Sequence, residues 1–216
     1  MVVEVWSDLA CPWCFIGKRH LEAALAEFEH RDDVEVVWRS FQLAPDMPAR
    51  VEGGLTELLA SKYGVSADEA AAMNARVTGV AAAAGLEYDL DHAQPSNTFD
   101  AHRVTQLAAD RGVQGDVVER LFGAYFAEGR RLSDPETLAA LGAEAGLAAE
   151  DVTSLLAGDA YADEVRRDVA DAQRFGLSGV PAFVIDRAYL VSGAQPPEAI
   201  LGALDRAWSD THPAGE

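Results

Sequence analysis

The sequence predicts an α/β domain in which a long all-helical segment separates two groups of strands. Apolar runs with strand character occur only near the chain ends, at 2–6 and 34–40, and again at 182–185 and 189–191. Between them, residues 45–175 are rich in alanine and carry apolar side chains at helical spacing. With 216 residues, the chain is long enough to bury a substantial core in one domain that carries such an insertion.

The first strand is expected to lead into a helix through a turn that contains both cysteines of the chain. Apolar residues from Phe15 to Phe28 recur at helical spacing. Cys11 would be the N-cap, and Pro12 would follow at the first helical position, where a missing N–H costs nothing. Because unpaired N–H groups give a helix N-terminus a partial positive charge, a Cys11 thiolate is stabilised there. We expect Cys11 to be partly exposed and Cys14 to be shielded.

The elements that follow are marked by cap and breaker residues. Residues 34–40 alternate as a second strand, and the prolines and glycines of 44–54 predict a loop. The helical segment then contains a capping box, several N-cap residues and several glycine stops. These signals are Ser66 with Glu69, Gly85, Asn97, Asp134 with Pro135, Gly146, Asp159 and Gly176.

The last two strands are separated only by residues 186–188, which predicts a hairpin, and a final helix follows from Pro196 through Trp208. Without the helical segment, the order is βαβ followed by ββα. The first two strands should therefore be parallel, with the first helix crossing between them. We predict one domain from 1–44 and 176–216, with 45–175 as the helical insertion.

A Cys-x-x-Cys pair at a strand-to-helix turn is typical of a redox-active dithiol. A structural disulfide there would close only a very small loop and restrain the unfolded chain little. A zinc site would lack a second cysteine pair, and His20 is badly placed to complete one. If the cysteines were two inert buried thiols, the Pro-Trp spacing between them and their place between a strand and a helix would be coincidental. The pattern favours Cys11 as nucleophile and Cys14 as resolving thiol, with no metal.

The amino-acid composition limits which binding partners and which cellular compartment are expected for this protein. The net charge of −19 disfavours nucleic acid and anionic membranes as partners. No apolar run approaches membrane-spanning length, and the start of the chain lacks a basic, signal-like region. We therefore expect a cytoplasmic protein, in which a cysteine pair is typically catalytic or redox-sensing.

The predicted arrangement resembles the thioredoxin fold with a helical insertion, as in the DsbA family of thiol–disulfide oxidoreductases. Residues 178–183, Ser-Gly-Val-Pro-Ala-Phe, are similar to the Gly-Val-Pro-x-Phe element of that family. This resemblance implies a cis Val180–Pro181 bond that faces the cysteines. The stretches 7–17, 97–103 and 192–196 resemble the cytoplasmic FrnE-like subfamily, which is named after a polyketide-pathway dithiol–disulfide isomerase.

The resemblance also implies a substrate groove. Trp13 cannot be fully buried in a tight turn, so it either lines this groove or simply packs against its neighbours. His102 is either a proton carrier or substrate contact in the cleft, or a locally hydrogen-bonded helix histidine. The expected substrate-binding residues are Pro12, Trp13, Val180, Pro181, Asn97 and His102. Two departures stand out: position 5 is valine where thioredoxins have a buried carboxylate, and the dipeptide is Pro-Trp instead of Pro-His.

The activity implied is thiol–disulfide exchange or isomerisation on a disulfide-containing protein or a small-molecule thiol. No resident cofactor is expected, with glutathione as a candidate reductant or ligand, and the oligomeric state is open, a homodimer included. One alternative is a glutathione-dependent kappa-type isomerase or transferase, such as the 2-hydroxychromene-2-carboxylate isomerases. Those proteins typically have serine where Cys11 stands. The other alternative is a non-catalytic interaction protein that uses the cysteines as a redox-sensing latch.

Overall fold

A computed structural model describes residues 1–212 of the chain. Four strands, β1 (Val2–Ser7), β2 (Glu35–Ser40), β3 (Ala182–Ile185) and β4 (Tyr189–Ser192), form one sheet in the order β2-β1-β3-β4. Strand β1 is parallel to β2 and antiparallel to β3, which in turn is antiparallel to β4. The predicted parallel pair and terminal hairpin are both confirmed. The last four residues of the predicted 176–216 segment lie outside the described residues.

The helices surround this sheet and fill the long connection between β2 and β3. Helix α1 (Pro12–Glu27) crosses from β1 to β2, and a 3₁₀ turn (Arg31–Asp33) follows it. Within the described residues, the connection from β2 to β3 contains helices and no strand, as predicted. Its helices are α2 (Leu55–Tyr63), α3 (Ala67–Ala83), α4 (Phe99–Asp110), α5 (Gln114–Phe126), α6 (Pro135–Glu144), α7 (Ala149–Leu156) and α8 (Ala162–Arg174). Helix α9 (Pro197–Thr211) follows β4 and is the last element of the described residues.

Some helix starts differ from the prediction by two or three residues. Helix α4 begins at Phe99 instead of Asn97, because the Asn97 side chain accepts a hydrogen bond from the Phe99 amide at 2.8 Å and forms a turn ahead of the helix. Helix α8 begins at Ala162 instead of Asp159, since Tyr161 takes a left-handed φ of 62° just before it. The Ser66–Glu69 capping box is present as predicted.

One continuous apolar core joins the sheet to the helical segment. It includes Val5 of β1, Phe15 of α1, and Phe122 and Phe126 of α5. The rings of Phe15 and Phe122 stack with their centroids 4.9 Å apart. Phe15 immediately follows the second cysteine, so this stacking holds the helical segment against the start of α1.

Helix α8 closes the other face of the sheet. Trp6 packs there with Leu177 and Val184 in a second, smaller apolar cluster. The Trp6 indole donates a hydrogen bond to the Asp168 carbonyl at 2.9 Å, and the Asp168 carboxylate accepts one from the Ser40 amide at 2.9 Å. Both faces of β1 are therefore covered. The residues that follow β1 leave the sheet next to the helical segment.

Candidate active site

The cysteine turn lies at the carboxyl end of β1. Cys11 is the N-cap of α1 with extended backbone angles, and Pro12 occupies the first helical position, as predicted. The turn is closed by hydrogen bonds from the Cys11 amide to the Asp8 carbonyl and from the Cys14 amide to the Cys11 carbonyl, both 3.0 Å. Both cysteines are free thiols. A Cys11 thiolate would thus lie beside the unpaired N–H groups of the first turn of α1.

The loop before β3 lies against this turn. The Val180–Pro181 peptide bond is cis, as the resemblance implied. The Cys11 thiol donates to the Val180 carbonyl at an Sγ–O distance of 3.7 Å. Gly17, one turn after Cys14, contacts the Pro181 ring closely. The cysteine turn and the proline loop therefore form the two sides of one site.

The expected partial exposure of Cys11 is wrong. Only 4% of Cys11 is exposed and only 1% of Cys14, so the two residues are almost equally buried. The cause is the helical segment, which covers the start of α1: the Tyr88 hydroxyl donates a hydrogen bond to the Pro12 carbonyl at 2.8 Å. Sequence patterns along one helix cannot show such a cover, because it comes from residues more than seventy positions away.

Cys14 is a buried thiol whose pKa is shifted. Burial raises the pKa of the Cys14 thiol well above its usual value, and the neighbouring Cys11 raises it further. The Ser7 side chain and the Asp8 backbone oppose this change but do not reverse it. Cys14 is therefore a neutral thiol near pH 7, and it can act as a nucleophile only after it loses a proton.

Asp8 is a buried carboxylate at the same turn. It accepts hydrogen bonds from the Leu43 amide at 2.7 Å and the Ala10 amide at 3.3 Å. The His102 Nε2 atom lies 3.6 Å from an Asp8 oxygen, which is longer than a hydrogen bond. Burial alone would raise the pKa of Asp8, but the His102 ring and the Leu43 amide lower it below the usual value. Asp8 is thus an anion at neutral pH, buried with its partners.

A cavity of about 380 Å³ opens beside the cysteine turn. One wall comes from the turn itself, with Cys11, Pro12 and Trp13, and the opposite wall from α2 and α3. Its other lining side chains are mostly apolar. They include Leu43, Met47, Leu55, Leu58, Leu59, Met73, Val77, Leu90, Tyr125 and Phe126.

The structure brings some of the expected substrate-binding residues together and separates others. Pro12 and Trp13 line the cavity, and Val180 and Pro181 lie on the other side of Cys11. Asn97 does not line it: its amide donates to the carbonyls of Pro45 and Met47 at 2.9 and 2.8 Å, which holds the loop after β2 in place.

His102 lies behind Asp8 and is 3% exposed, so it faces neither the solvent nor the cavity lining. Its Nε2 atom has no hydrogen-bond partner among the described residues. The alternative of a locally hydrogen-bonded helix histidine therefore does not hold for this nitrogen. Its contact with Asp8 makes it a neighbour of the cysteine turn through a second residue.

Sequence reasoning did not identify the far wall of the cavity or its inner polar residues. The wall is made by the apolar faces of α2 and α3, and the inner polar residues include Ser96 and Tyr125. The amphipathic run that starts at Leu55 was the one available signal, and it predicts a buried helix face without indicating what that face covers.

Residues 1–212 contain neither a membrane-spanning helix nor an arrangement of acidic, histidine and cysteine side chains that could hold a metal ion. No helix in this range is both long and apolar enough to cross a membrane. Within the same range, no cluster of three or more His, Cys, Asp or Glu side chains is arranged to hold a metal ion.

The fold and the cysteine turn are similar to those of known proteins. The crystal structure of SCO1869 from Streptomyces coelicolor, described as a "probable DsbA oxidoreductase", superposes with a TM-score of 0.94 at 45% identity, over 100% of this chain and 93% of that one. The cytosolic disulfide reductase DsbM from Pseudomonas aeruginosa shares the fold, with a TM-score of 0.66 at 19% identity over 95% and 98% of the two chains. It is also known in a structure with GSH.

Among curated sequences, the uncharacterized protein YwbO of Bacillus subtilis is 26% identical over 185 residues, which cover 85% of this chain and 86% of YwbO. The profile of the DSBA-like thioredoxin domain matches residues 2–205, nearly the whole chain. The sheet order, the cysteine turn and the proline loop are those of a thioredoxin fold with a helical insertion. The chain therefore belongs to the family of DSBA-like thioredoxin domains.

Proposed function

We propose that this protein is a thiol–disulfide oxidoreductase that exchanges disulfides through its own dithiol. Cys11 is the nucleophile and Cys14 the resolving thiol. The observation that carries this assignment is the position of Cys11, which caps α1 and contacts the Val180 carbonyl at 3.7 Å, while Cys14 lies one turn further along the helix. Family membership supports the reaction class, and the geometry supports the division of roles.

In the reductive direction, the Cys11 thiolate attacks one sulfur of the substrate disulfide. The substrate S–S bond breaks, a mixed disulfide forms on Cys11, and the first substrate thiolate leaves and takes up a proton. Cys14 then loses its proton and attacks the Cys11 sulfur, which releases the second substrate thiol and leaves a Cys11–Cys14 disulfide. The two electrons that the substrate gains come from the protein dithiol. Two molecules of a thiol such as glutathione return them and are themselves oxidised to a disulfide.

Isomerisation requires only the first step. A Cys11 mixed disulfide can be attacked by another thiol of the same substrate, which restores reduced Cys11 with no net electron transfer. We propose that the protein also has this isomerase activity, that it belongs to the FrnE-like subfamily and that it acts in the cytoplasm. The reducing conditions of the cytoplasm keep both thiols available for the first attack. The partners are disulfide-containing proteins or small-molecule thiols.

The test compares wild type with Cys11→Ser and Cys14→Ser, each with and without glutathione, on a model disulfide. We expect Cys11→Ser to abolish turnover, because serine offers no comparable nucleophile at neutral pH. We expect Cys14→Ser to accumulate mixed disulfides on Cys11, which mass spectrometry detects.

Two other results would replace the proposal. Activity that needs glutathione and survives in Cys11→Ser would indicate the glutathione-dependent isomerase or transferase. Absence of turnover in wild type, together with a binding difference between the reduced and oxidised protein, would indicate the redox-sensing latch.

A further inference from the structure

The entrance to the cavity beside Cys11 is unusually apolar. Large apolar side chains that remain exposed are few among the described residues, and four of them, Trp13, Leu43, Tyr63 and Met73, line this one cavity. Their exposed fractions range from 40% to 54%. Single exposed apolar residues are normal on a protein surface, whereas a contiguous cluster of them marks a binding site.

The apolar lining continues inward from this entrance. Val77 of α3 is half-buried, and deeper in the cavity Leu90 and Phe126 are 5% and 1% exposed. The volume of about 380 Å³ falls within the range of roughly 300–1,000 Å³ that is typical of small-molecule pockets. An open cavity of this size fits a compact molecule and is too small for a folded protein surface.

The position of Cys11 links this space to the chemistry. Cys11 lines the cavity, yet only 4% of it is exposed. On its other side, its sulfur contacts the Val180 carbonyl, and the Tyr88 hydroxyl is bonded to the adjacent Pro12 carbonyl. A sulfur atom that is to be attacked by Cys11 must therefore arrive through the cavity.

The inner wall also carries polar groups that an apolar ligand with one polar substituent could use. The Ser96 hydroxyl is buried without a hydrogen-bond partner among residues 1–212. Burial and the nearby negative charge of Asp8 raise the pKa of Tyr125, so its hydroxyl stays neutral and can donate. An unsatisfied buried hydroxyl costs free energy that a ligand oxygen can recover.

We propose that this cavity is the substrate site of the protein and that its occupant is a small, largely apolar disulfide with an aromatic or branched aliphatic body. This inference rests on the proposed function and specifies its substrate class. The substrate disulfide is reduced to two thiols, the Cys11–Cys14 pair is oxidised to a disulfide, and a thiol reductant such as glutathione regenerates the dithiol. The two thiol protons of the cysteines go to the two product thiols.

The test uses two probe disulfides, the aromatic 2,2′-dithiodipyridine and the small polar bis(2-hydroxyethyl) disulfide. The rate at which each oxidises the reduced protein is followed by acid quenching and by counting free cysteines with mass spectrometry. The measured quantity is the ratio of the aromatic rate to the polar rate. It is compared between Val77→Trp, which fills the cavity, and Val80→Trp, the same change on the same helix outside the cavity lining.

We expect the ratio to fall about tenfold in Val77→Trp, because the inserted indole occupies the space for the aromatic body, and to stay within about twofold of wild type in Val80→Trp. Met73→Trp, at a 40% exposed position on the rim, should also lower the ratio and guards against failure of Val77→Trp to fold. Circular dichroism and thermal unfolding check the fold of each variant.

A ratio unchanged in both cavity variants would overturn this inference while leaving the oxidoreductase function intact. Equal slowing of a denatured disulfide-containing protein by Val77→Trp would also overturn it, since a peptide segment would then be the occupant. If neither probe oxidises wild type but the denatured disulfide-containing protein does, this inference fails and the oxidoreductase function stands. If none of the three substrates oxidises wild type, the oxidoreductase function itself fails.

Discussion

Gly17 and Pro181 are in such close contact that a Cβ atom at position 17 would lie 2.8 Å from Cγ of the proline and 3.2 Å from Cζ of Phe183. Real Cβ atoms essentially never approach other atoms as closely as the first of these distances. Helix α1 can therefore lie directly on the proline loop only because this position has no side chain. The same proline loop carries the Val180 carbonyl, which lies 3.7 Å from the Cys11 sulfur.

The first prediction is that Gly17→Ala separates the proline loop from α1. We expect a loss of about 1–3 kcal/mol in the free energy of unfolding, because the ring of Pro181 cannot yield without moving its backbone. The rate of disulfide exchange should fall with it. Denaturant unfolding and single-turnover kinetics measure the two effects.

Gly202→Ala in α9 is the matched control for this prediction. A Cβ at position 202 meets no atom within 4 Å, so alanine should raise stability by about 0.5–1 kcal/mol through its better helix propensity. Equal effects of the two substitutions would show that the contact between Gly17 and Pro181 is not needed.

The second prediction concerns the ionisation of Cys14. Because burial raises its pKa, Cys14 in the folded Cys11→Ser variant should remain a thiol and react slowly with iodoacetamide up to about pH 9, beyond the usual cysteine pKa. In urea the same residue should react at the rate of a free cysteine. Similar alkylation rates in the folded and unfolded protein at pH 8 would contradict the assigned burial.

The third prediction concerns the cover over the cysteine turn. Tyr88→Phe removes the hydroxyl that donates to the Pro12 carbonyl at 2.8 Å and should cost about 0.5–1.5 kcal/mol of stability. Alkylation of Cys11 should become faster, because the helical segment is then held less firmly over α1.

Tyr161→Phe is the control for the cover. Its hydroxyl donates to Asp110 at 2.7 Å, away from the cavity lining, so this variant should leave the alkylation rate of Cys11 unchanged. If both variants accelerate alkylation equally, the effect comes from general loosening and not from the Tyr88 hydrogen bond.

The fourth prediction concerns Asp8 and pH. Its pKa is lower in the folded protein than in the unfolded chain, so the stability that its anion contributes is fully present above the unfolded pKa of about 3.9. That contribution is lost as pH falls through the still lower folded pKa. Asp8→Asn should therefore destabilise the protein by about 1–3 kcal/mol at pH 7, because the hydrogen bonds to the charged oxygens are weakened.

The difference between wild type and Asp8→Asn should shrink as pH falls below about 4 and the wild-type carboxyl takes up its proton. Urea unfolding curves across this range measure it. A difference that stays constant with pH would mean that the charge of Asp8 contributes nothing and that shape alone explains the loss.

The sequence alone determined the features of this protein that depend on residues close together in the chain. The order of strands and helices, the parallel β1–β2 pair and the terminal hairpin follow from apolar periodicity and turn residues, which act over a few neighbours. Cys11 as N-cap with Pro12 behind it, and the Ser66–Glu69 capping box, are equally local. The prediction of a cis bond before Pro181 came from resemblance to a family motif, since an X–Pro sequence by itself permits both isomers.

Only the tertiary structure decided how accessible the cysteines are and what surrounds them. The Tyr88 hydroxyl bonds to the Pro12 carbonyl next to Cys11, and α2 and α3 form the far wall of the cavity; packing, not sequence proximity, brings them to the turn. Asn97 was expected in the substrate groove, yet it holds the loop after β2, because its amide can satisfy two carbonyls there. Such contacts depend on how whole elements pack, so they cannot be predicted from the residues that flank each position in the chain.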